Sequence, residues 1–426
     1  MEQRWILHCD CNSFYASVEL LAYPQLRQKP VAVCGDPNAR HGIILAKNEA
    51  AKRYGVKTAE PIWQARRKCP GLQLLPPHRA LYRRYSARLN EIYQRYTDRV
   101  EPFGIDESWL DVTHTWQLFE PSPVCLADRI RAEVKQATGL TVSVGVSFNK
   151  VFAKLGSDYK KPDATTLIGP GDYQRIVWPL PVGDLLYVGH SAQQRLAGLG
   201  VHTIGQLAAA DPQVLSSTLG KLGLELGRYA RGEDDAPVRM VGESEPIKSV
   251  GNGMTFKKDL TSLDEMKAGL VALSDEVAAR LRRHGLWAGG VQLTIRDNQL
   301  KTITRQKQLP MATHLARDLA RECLTLVRAN WDFSRPVRML TVTALSLTDE
   351  PFAVQQSLFG DEPKADPRRE KLEQSLDAIR KKYGRGAIAA GSVLGNHIGL
   401  DELHMDGEGM GGEEELRWDE KVKGPL

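Results

Sequence analysis

The residues with the most chemical promise in this sequence are three acids. Asp10 closes the apolar run Ile6-Leu7-His8-Cys9, and Asp106-Glu107 follow a bend at Pro102-Phe103-Gly104. A carboxylate is costly to bury unless it is paired or holds a metal. If the two segments are neighbouring strands, the three acids meet at one end of a sheet. An all-oxygen set of that kind suits hard cations such as Mg²⁺. Two such ions about 3.5–4 Å apart support an in-line displacement at phosphorus. The same letters also fit solvated turn residues, and Asp111 is an equal candidate on spacing alone.

Positioning these acids requires elements that period and punctuation make legible. Ile6–Asp10 reads as a short buried strand, followed by a helix from about Phe14 to Leu21 capped by Asn12 or Ser13. Val31–Cys34 and Gly42–Leu45 read as strands, the second leading into a helix that stops at Gly55. Pro61 opens a further helix that ends at Pro70-Gly71. Helical spacing returns over Tyr82–Tyr96 and Leu126–Ala137, with an extended stretch from Val100 to Thr113 between them. Thr141–Val146 alternates as a half-buried strand should. Strands and helices thus alternate to about residue 168, which predicts an α/β or α+β first half.

From Pro181 to Val238 the chain turns helical with frequent glycines, and a second strand-rich unit begins near Ile247. It contains Val291–Arg296 and Val337–Val342. Gln355–Arg368 reads as a linker and Arg369 to about Tyr383 as an amphipathic helix. The acidic, glycine-rich stretch Gly407–Leu426 is expected to be disordered.

At about 100–200 residues per domain, 426 residues predict two to four domains. Hydrophobic residues make up 42% and charged residues 26%, the balance of a soluble globular protein. No run approaches the roughly 18 apolar residues of a membrane span. Met1-Glu2-Gln3-Arg4-Trp5 runs straight into a strand, so a cytoplasmic protein without a signal peptide is expected. The six cysteines (Cys9, Cys11, Cys34, Cys69, Cys125, Cys323) form no CxxC pair and fit reduced thiols. A net charge of +5 is compatible with a nucleic-acid partner without demanding one.

Three strings narrow the reading. Cys9-Asp10-Cys11-Asn12-Ser13-Phe14-Tyr15-Ala16-Ser17-Val18-Glu19 resembles the opening of the Y-family (DinB/UmuC-type) translesion DNA polymerases of bacteria. Phe103-Gly104-Ile105-Asp106-Glu107-Ser108-Trp109-Leu110-Asp111-Val112 resembles their second catalytic motif. Ser143-Val144-Gly145-Val146-Ser147-Phe148-Asn149-Lys150, continuing through Ala153-Lys154 to Lys160-Lys161-Pro162-Asp163, resembles a third. The three fall in the family's order and separation, and the resemblance runs over residues 5–350.

The resemblance implies an α+β multidomain right-hand polymerase. Its palm would be residues 1–12 and 76–168, its small fingers 13–75 and its helical thumb 169–240. A separate α/β little finger would follow at 241–350, then a tail at 351–426. It implies a DNA-directed DNA polymerase that bypasses lesions at low fidelity and, without a clamp, at low processivity. Asp10, Asp106 and Glu107 would hold two Mg²⁺ ions with help from the carbonyl of Cys11, with Asp106 and Glu107 catalytic. Phe14 and Tyr15 would face the nucleotide, and Tyr15 would exclude a 2′-hydroxyl as a steric gate. Lys161 matches the family lysine that reaches the triphosphate, and Lys52 stands where the family has an arginine. A lysine is a point charge and cannot form the bidentate fork of that arginine. Glu49 and Ala46 replace the tyrosine and threonine of the DinB branch, while Lys47 is similar to the UmuC-like branch. Ile43 and Leu45 would roof the new base pair.

Tyr187-Val188-Gly189 and Leu199-Gly200-Val201-His202-Thr203-Ile204-Gly205-Gln206-Leu207 resemble a helix-hairpin-helix. Gly189 and Gly200 there would let backbone N–H groups approach phosphates. Lys248, Arg296 and Arg338, with Arg305 beside them, would hold a duplex through its backbone, whereas Lys307 reads as a solvated strand residue. Gln355-Gln356-Ser357-Leu358-Phe359 resembles the peptide by which bacterial polymerases bind the β sliding clamp, with Gln355, Leu358 and Phe359 as anchors. The implied partners are primer-template DNA, dNTPs and that clamp, for a monomer with no membrane attachment. Two other readings share part of this pattern. A nucleotidyl cyclase would use the same acids without a duplex. A DNA- and clamp-binding adaptor would keep the fold without catalysis.

Overall fold

The structure is a computed structural model that describes residues 3–37, 39–40, 42–350, 367–393 and 397–400. These residues fall into two units, one built from 3–37 and 42–244, the other from 39–40, 245–350, 367–393 and 397–400. Among the described residues, no helix is long and apolar enough to cross a membrane.

The first unit opens with β1 (Ile6–Cys11) and α1 (Phe14–Ala22), followed by β2 (Val31–Cys34), β3 (Ile44–Lys47), α2 (Glu49–Arg53), α3 (Ile62–Lys68) and β4 (Gln73–Leu75). Then come α4 (Arg79–Tyr93), β5 (Val100–Pro102), β6 (Glu107–Asp111), α5 (Pro123–Thr138), β7 (Val142–Ser147), α6 (Lys150–Tyr159) and β8 (Thr165–Ile168). Five of these strands form one sheet in the order β5-β6-β1-β7-β8, with β1 at its centre. β1 runs antiparallel to β6 and β7, and β7 runs parallel to β8.

β1 is buried at all six positions because both faces of the sheet are covered. Leu7, Cys9 and Cys11 join Leu89, Ile92, Ile130 and Val134 in a core built with α4 and α5. The alternate residues Ile6, His8 and Asp10 face α6, where Ile6 meets Ala153. The period of two that sends successive side chains to opposite faces divides this strand between a packing face and a polar face.

β7 corrects the expectation of a half-buried strand, since all six of its residues are buried. Val142, Val144 and Val146 join the α4–α5 core. The intervening Ser143, Gly145 and Ser147 are small, and that is what lets α6 close over them. A Cβ on Gly145 would stand 1.9 Å from the carbonyl oxygen of Ala153. The caps expected for α1 also differ. Ser13 occupies the cap position in a left-handed conformation (φ 51°) without a side-chain cap bond. Asn12 instead donates to Thr141 Oγ1 (3.1 Å) and accepts from Ser143 Oγ (2.9 Å), tying the β1 turn to β7. α6 is capped by Asn149, whose side chain accepts from the Phe152 N–H (2.8 Å).

A smaller sheet, β3-β2-β4, packs on α2 and α3 through Cys34, Ile44, Ala51, Ile62 and Ala65. The strand expected over Gly42–Leu45 is displaced to Ile44–Lys47, and Ile43 instead bridges to Pro61. Asn48 accounts for the shift. Its side-chain oxygen caps α2 through Ala51 N and also accepts from Val31 N (both 3.0 Å), which fixes where strand gives way to helix. The helical stretch follows as α7 (Tyr173–Val177), α8 (His190–Ala197), α9 (Ile204–Ala209), α10 (Pro212–Leu219) and α11 (Lys221–Ala230). Its core takes in Phe152 and Leu155 of α6.

The second unit holds β9 (Val250–Leu260), α12 (Leu263–Arg283), β10 (Trp287–Asp297), β11 (Thr302–Thr313), α13 (Ala316–Asn330), β12 (Val337–Thr348) and α14 (Pro367–Tyr383). Its antiparallel sheet has the order β11-β10-β12-β9. The boundary expected at residue 350 is corrected here. Ile398 and Leu400 are buried in this unit's core. Arg282 of α12 pairs with Glu373 and with Asp377 (2.6 Å) of α14, and Glu373 accepts from the Ala316 N–H at the start of α13 (2.9 Å). α14 is therefore an integral part of the unit.

Candidate active site

Antiparallel register places Asp10 of β1 directly opposite Glu107 of β6, so two acids distant in sequence meet at one sheet end. Asp106 precedes β6, and its carbonyl oxygen accepts from the Cys11 N–H (3.0 Å). Gly104 permits the bend before it, because a Cβ there would stand 3.2 Å from Glu107 Cγ. Asp111 lies at the opposite end of β6, paired with Ile6, and spends its Oδ1 on the N–H and hydroxyl of Thr113. The register thus brings Glu107, with Asp106 beside it, to the sheet end that holds Asp10, and Asp111 to the other end.

The ligand atoms of His8, Asp10 and Glu107 lie within 4.8 Å of one another, the one such trio among the described residues. Asp106 stands outside that trio but lines the same cavity. This open cavity of about 400 Å³ is also lined by Cys11, Phe14, Leu45, Lys52, Lys154, Asp158 and Lys161. Two ammonium groups hold the acids together. Lys154 Nζ lies 2.9 Å from Asp10, 2.8 Å from Glu107 and 3.0 Å from Asp158. Lys161 Nζ lies 2.8 Å from Asp10 and 2.7 Å from Asp158.

These contacts set the charge states. Burial raises the carboxyls of Asp106 and Glu107, and the nearby charge of Asp10 adds to both shifts. Burial alone would lower Lys154 and Lys161, but the surrounding acids, Asp10 foremost, outweigh it and keep both ammonium groups charged. Burial also holds His8 neutral, reinforced by the two lysines. His8 Nδ1 lies 2.9 Å from Ser157 Oγ, and its Nε2 faces Glu107 Oε2 at 3.5 Å.

The remaining expected residues are spread more widely. Phe14 is buried in the α4–α5 core. Tyr15 is half-buried and stacks on Tyr82 (centroids 4.0 Å apart, planes at 11°), while Tyr82 donates its hydroxyl to the buried Glu19 (2.5 Å). Lys52 is exposed and 3.6 Å from Glu49 one turn away. Lys47 donates to Thr58 (2.9 Å). Gly189 caps α8, and Gly200 turns with φ 74° before α9. Lys248 lies just before β9, 3.2 Å from Glu245, and Arg296 and Arg338 lie on β10 and β12. Lys307 is an exposed residue of β11, as expected, and pairs with Glu322 at 2.7 Å. Gln355, Leu358 and Phe359 lie outside the described residues.

Three participants escaped the sequence reading: His8, Lys154 and Asp158. His8 was signalled by its place two residues before Asp10 on a strand, and Lys154 and Asp158 by their four-residue spacing along α6, with Lys161 just beyond the helix end.

Residues 9–158 match the impB/mucB/samB family, and residues 247–358 match that family's C-terminal domain. The chain is 45% identical over 395 residues to DNA polymerase IV of Acetivibrio thermocellus, covering 92% of this chain and 98% of that protein. The chain belongs to the impB/mucB/samB family. DNA polymerase IV 1 of Bacillus subtilis is 38% identical over 394 residues, covering 92% of this chain and 94% of its own length. A solved Y-family DNA polymerase chimera of Dbh and Dpo4 superposes with a TM-score of 0.72 at 24% identity, covering 80% of this chain and 98% of that one. The fold is therefore that of a Y-family polymerase, as the three strings implied.

Proposed function

We infer that this impB/mucB/samB-family chain is a template-directed DNA polymerase of the translesion kind, extending a primer 3′-hydroxyl with dNTPs. One observation carries the reading: Asp10 and Glu107, cross-strand partners, share a cavity with Asp106 and two ammonium groups. The donor set fits a hard divalent cation, since its acids are oxygen ligands converging on open space. Asp10, Asp106 and Glu107 would hold two Mg²⁺ ions, with the Cys11 carbonyl assisting. Bound there, the ions would activate the primer hydroxyl and stabilise the departing pyrophosphate.

The chain's own groups supply the rest. Lys161, which lines the cavity, would neutralise a triphosphate as a point charge. Tyr15, backed by Tyr82, is a ring whose position leaves it little freedom to yield to a 2′-hydroxyl. Lys52 offers a second, weaker grip, because it is exposed and shared with Glu49. We assign the palm to residues 1–12 and 76–168, the fingers to 13–75 and the thumb to 169–240. The little finger takes 241–350 together with the C-terminal helix. In that scheme Gly189, Gly200, Lys248, Arg296 and Arg338 bind primer-template DNA without reading its sequence, and Gln355, Leu358 and Phe359 bind the sliding clamp. The protein would act as a cytoplasmic monomer.

The test is single-nucleotide incorporation with Mg²⁺ on four templates that differ only in the templating base. Insertion that follows the template base supports the reading. Tight DNA binding with no insertion would move the assignment to a non-catalytic adaptor.

A further inference from the structure

Asp158 is an acid at the site that no metal-ligand or nucleotide-binding role claims. It lies on α6, with one oxygen 3.0 Å from Lys154 Nζ and the other 2.7 Å from Lys161 Nζ. Both ammonium groups also sit on Asp10 Oδ2, at 2.9 and 2.8 Å, and Lys154 sits on Glu107 as well. The two lysines thus neutralise the carboxylates that divalent cations would take. Asp10 Oδ2 already accepts from both ammonium groups, so a cation that takes this oxygen competes with the lysines for it. Among the described residues, Asp158 is the one carboxylate contacting both of them that lies outside the proposed ligand set. It lies four residues from Lys154 along α6 and three from Lys161 just past the helix end, which keeps it within reach of both.

Resting on the proposed metal-site reading, we propose that Asp158 is a positioning residue that receives Lys154 and Lys161 as metal ions load, leaving Lys161 poised for the triphosphate. Without Asp158, the lysines have only Asp10 and Glu107 as counter-charges and compete with the cation for them. Asp158 therefore favours metal binding indirectly, through the lysines.

The experiment measures Mn²⁺ binding to the full chain, without DNA or nucleotide, by electron paramagnetic resonance. Asp158→Asn is expected to weaken Mn²⁺ binding about three- to tenfold, the scale of one partly exposed charge-assisted contact. Asp158→Glu, which keeps a carboxylate, is expected to restore it. In a Lys154→Met/Lys161→Met background, Asp158→Asn should change the affinity less than twofold. Equal weakening in both backgrounds would mean that Asp158 attracts the ion directly, and would overturn the proposal. So would an unchanged affinity in Asp158→Asn. If the wild type binds no Mn²⁺, the metal-site reading itself fails, an outcome separable from either of these.

Discussion

Replacing Gly145 with alanine strikes the joint that carries the site. Gly145 lies on β7 opposite His8 of β1, and α6 crosses it so closely that an added Cβ would lie 1.9 Å from Ala153 O and 2.5 Å from Ser157 N. Both obstacles are backbone, so no side chain can swing aside. Reaching even 3.0 Å from the carbonyl requires α6 to retreat by at least 1.1 Å (3.0 − 1.9). Overpacking of this sort costs about 1–3 kcal/mol, and more where backbone must move. The retreat also carries Lys154 and Asp158 away from Asp10 and Glu107. A displacement of about 1 Å in a positioned group costs on the order of 10²-fold in rate. Urea unfolding and single-turnover nucleotide incorporation read the two effects. Gly171→Ala, where nothing lies within 4 Å, is the control. Gly145→Ala with stability within about 0.5 kcal/mol of wild type and full turnover would refute this account of how α6 is seated.

Three further outcomes are expected. Tyr15→Ala removes the ring stacked on Tyr82 and should lower the preference for dNTP over NTP, measured as a ratio of kcat/KM, by roughly 10- to 200-fold. Arg282→Ala leaves Glu373 and Asp377 without their shared partner, so the second unit should lose about 3–5 kcal/mol in urea unfolding. Glu101 is buried against Lys150 (2.7 Å) and Arg239 (2.9 Å). Burial alone would raise its carboxyl, but those two cations outweigh it and hold it below the usual range. Its folded value thus lies below the unfolded one of about 4.3. The stabilisation is complete above that pH and is lost as pH falls through the folded value. Glu101→Gln should therefore lower the urea midpoint at pH 7, with a gap to wild type that narrows below about pH 4.

What the sequence disclosed followed from how local each signal is. Val31–Cys34 was legible because a run of apolar residues closed by a turn cluster specifies a buried strand without outside help. The convergence of Asp10 with Glu107 depended on strand pairing, which the letters only allow and the register decides, excluding Asp111. β7 misled because Ser143, Gly145 and Ser147 look solvent-facing, whereas their small size is what α6 packs against. α14 read as a free amphipathic helix, since its partners Arg282 and Ala316 lie 50 or more residues earlier in the chain. His8 passed as a core residue, and only its approach to Ser157 and Glu107 brings it to the site.

The most direct test is primer extension on an undamaged template with Mg²⁺ and all four dNTPs, wild type beside Asp106→Ala, with primer-template binding measured for both. The account predicts extension by the wild type, none by the variant, and equal DNA binding. Extension by both proteins, or by neither with binding intact, would contradict it.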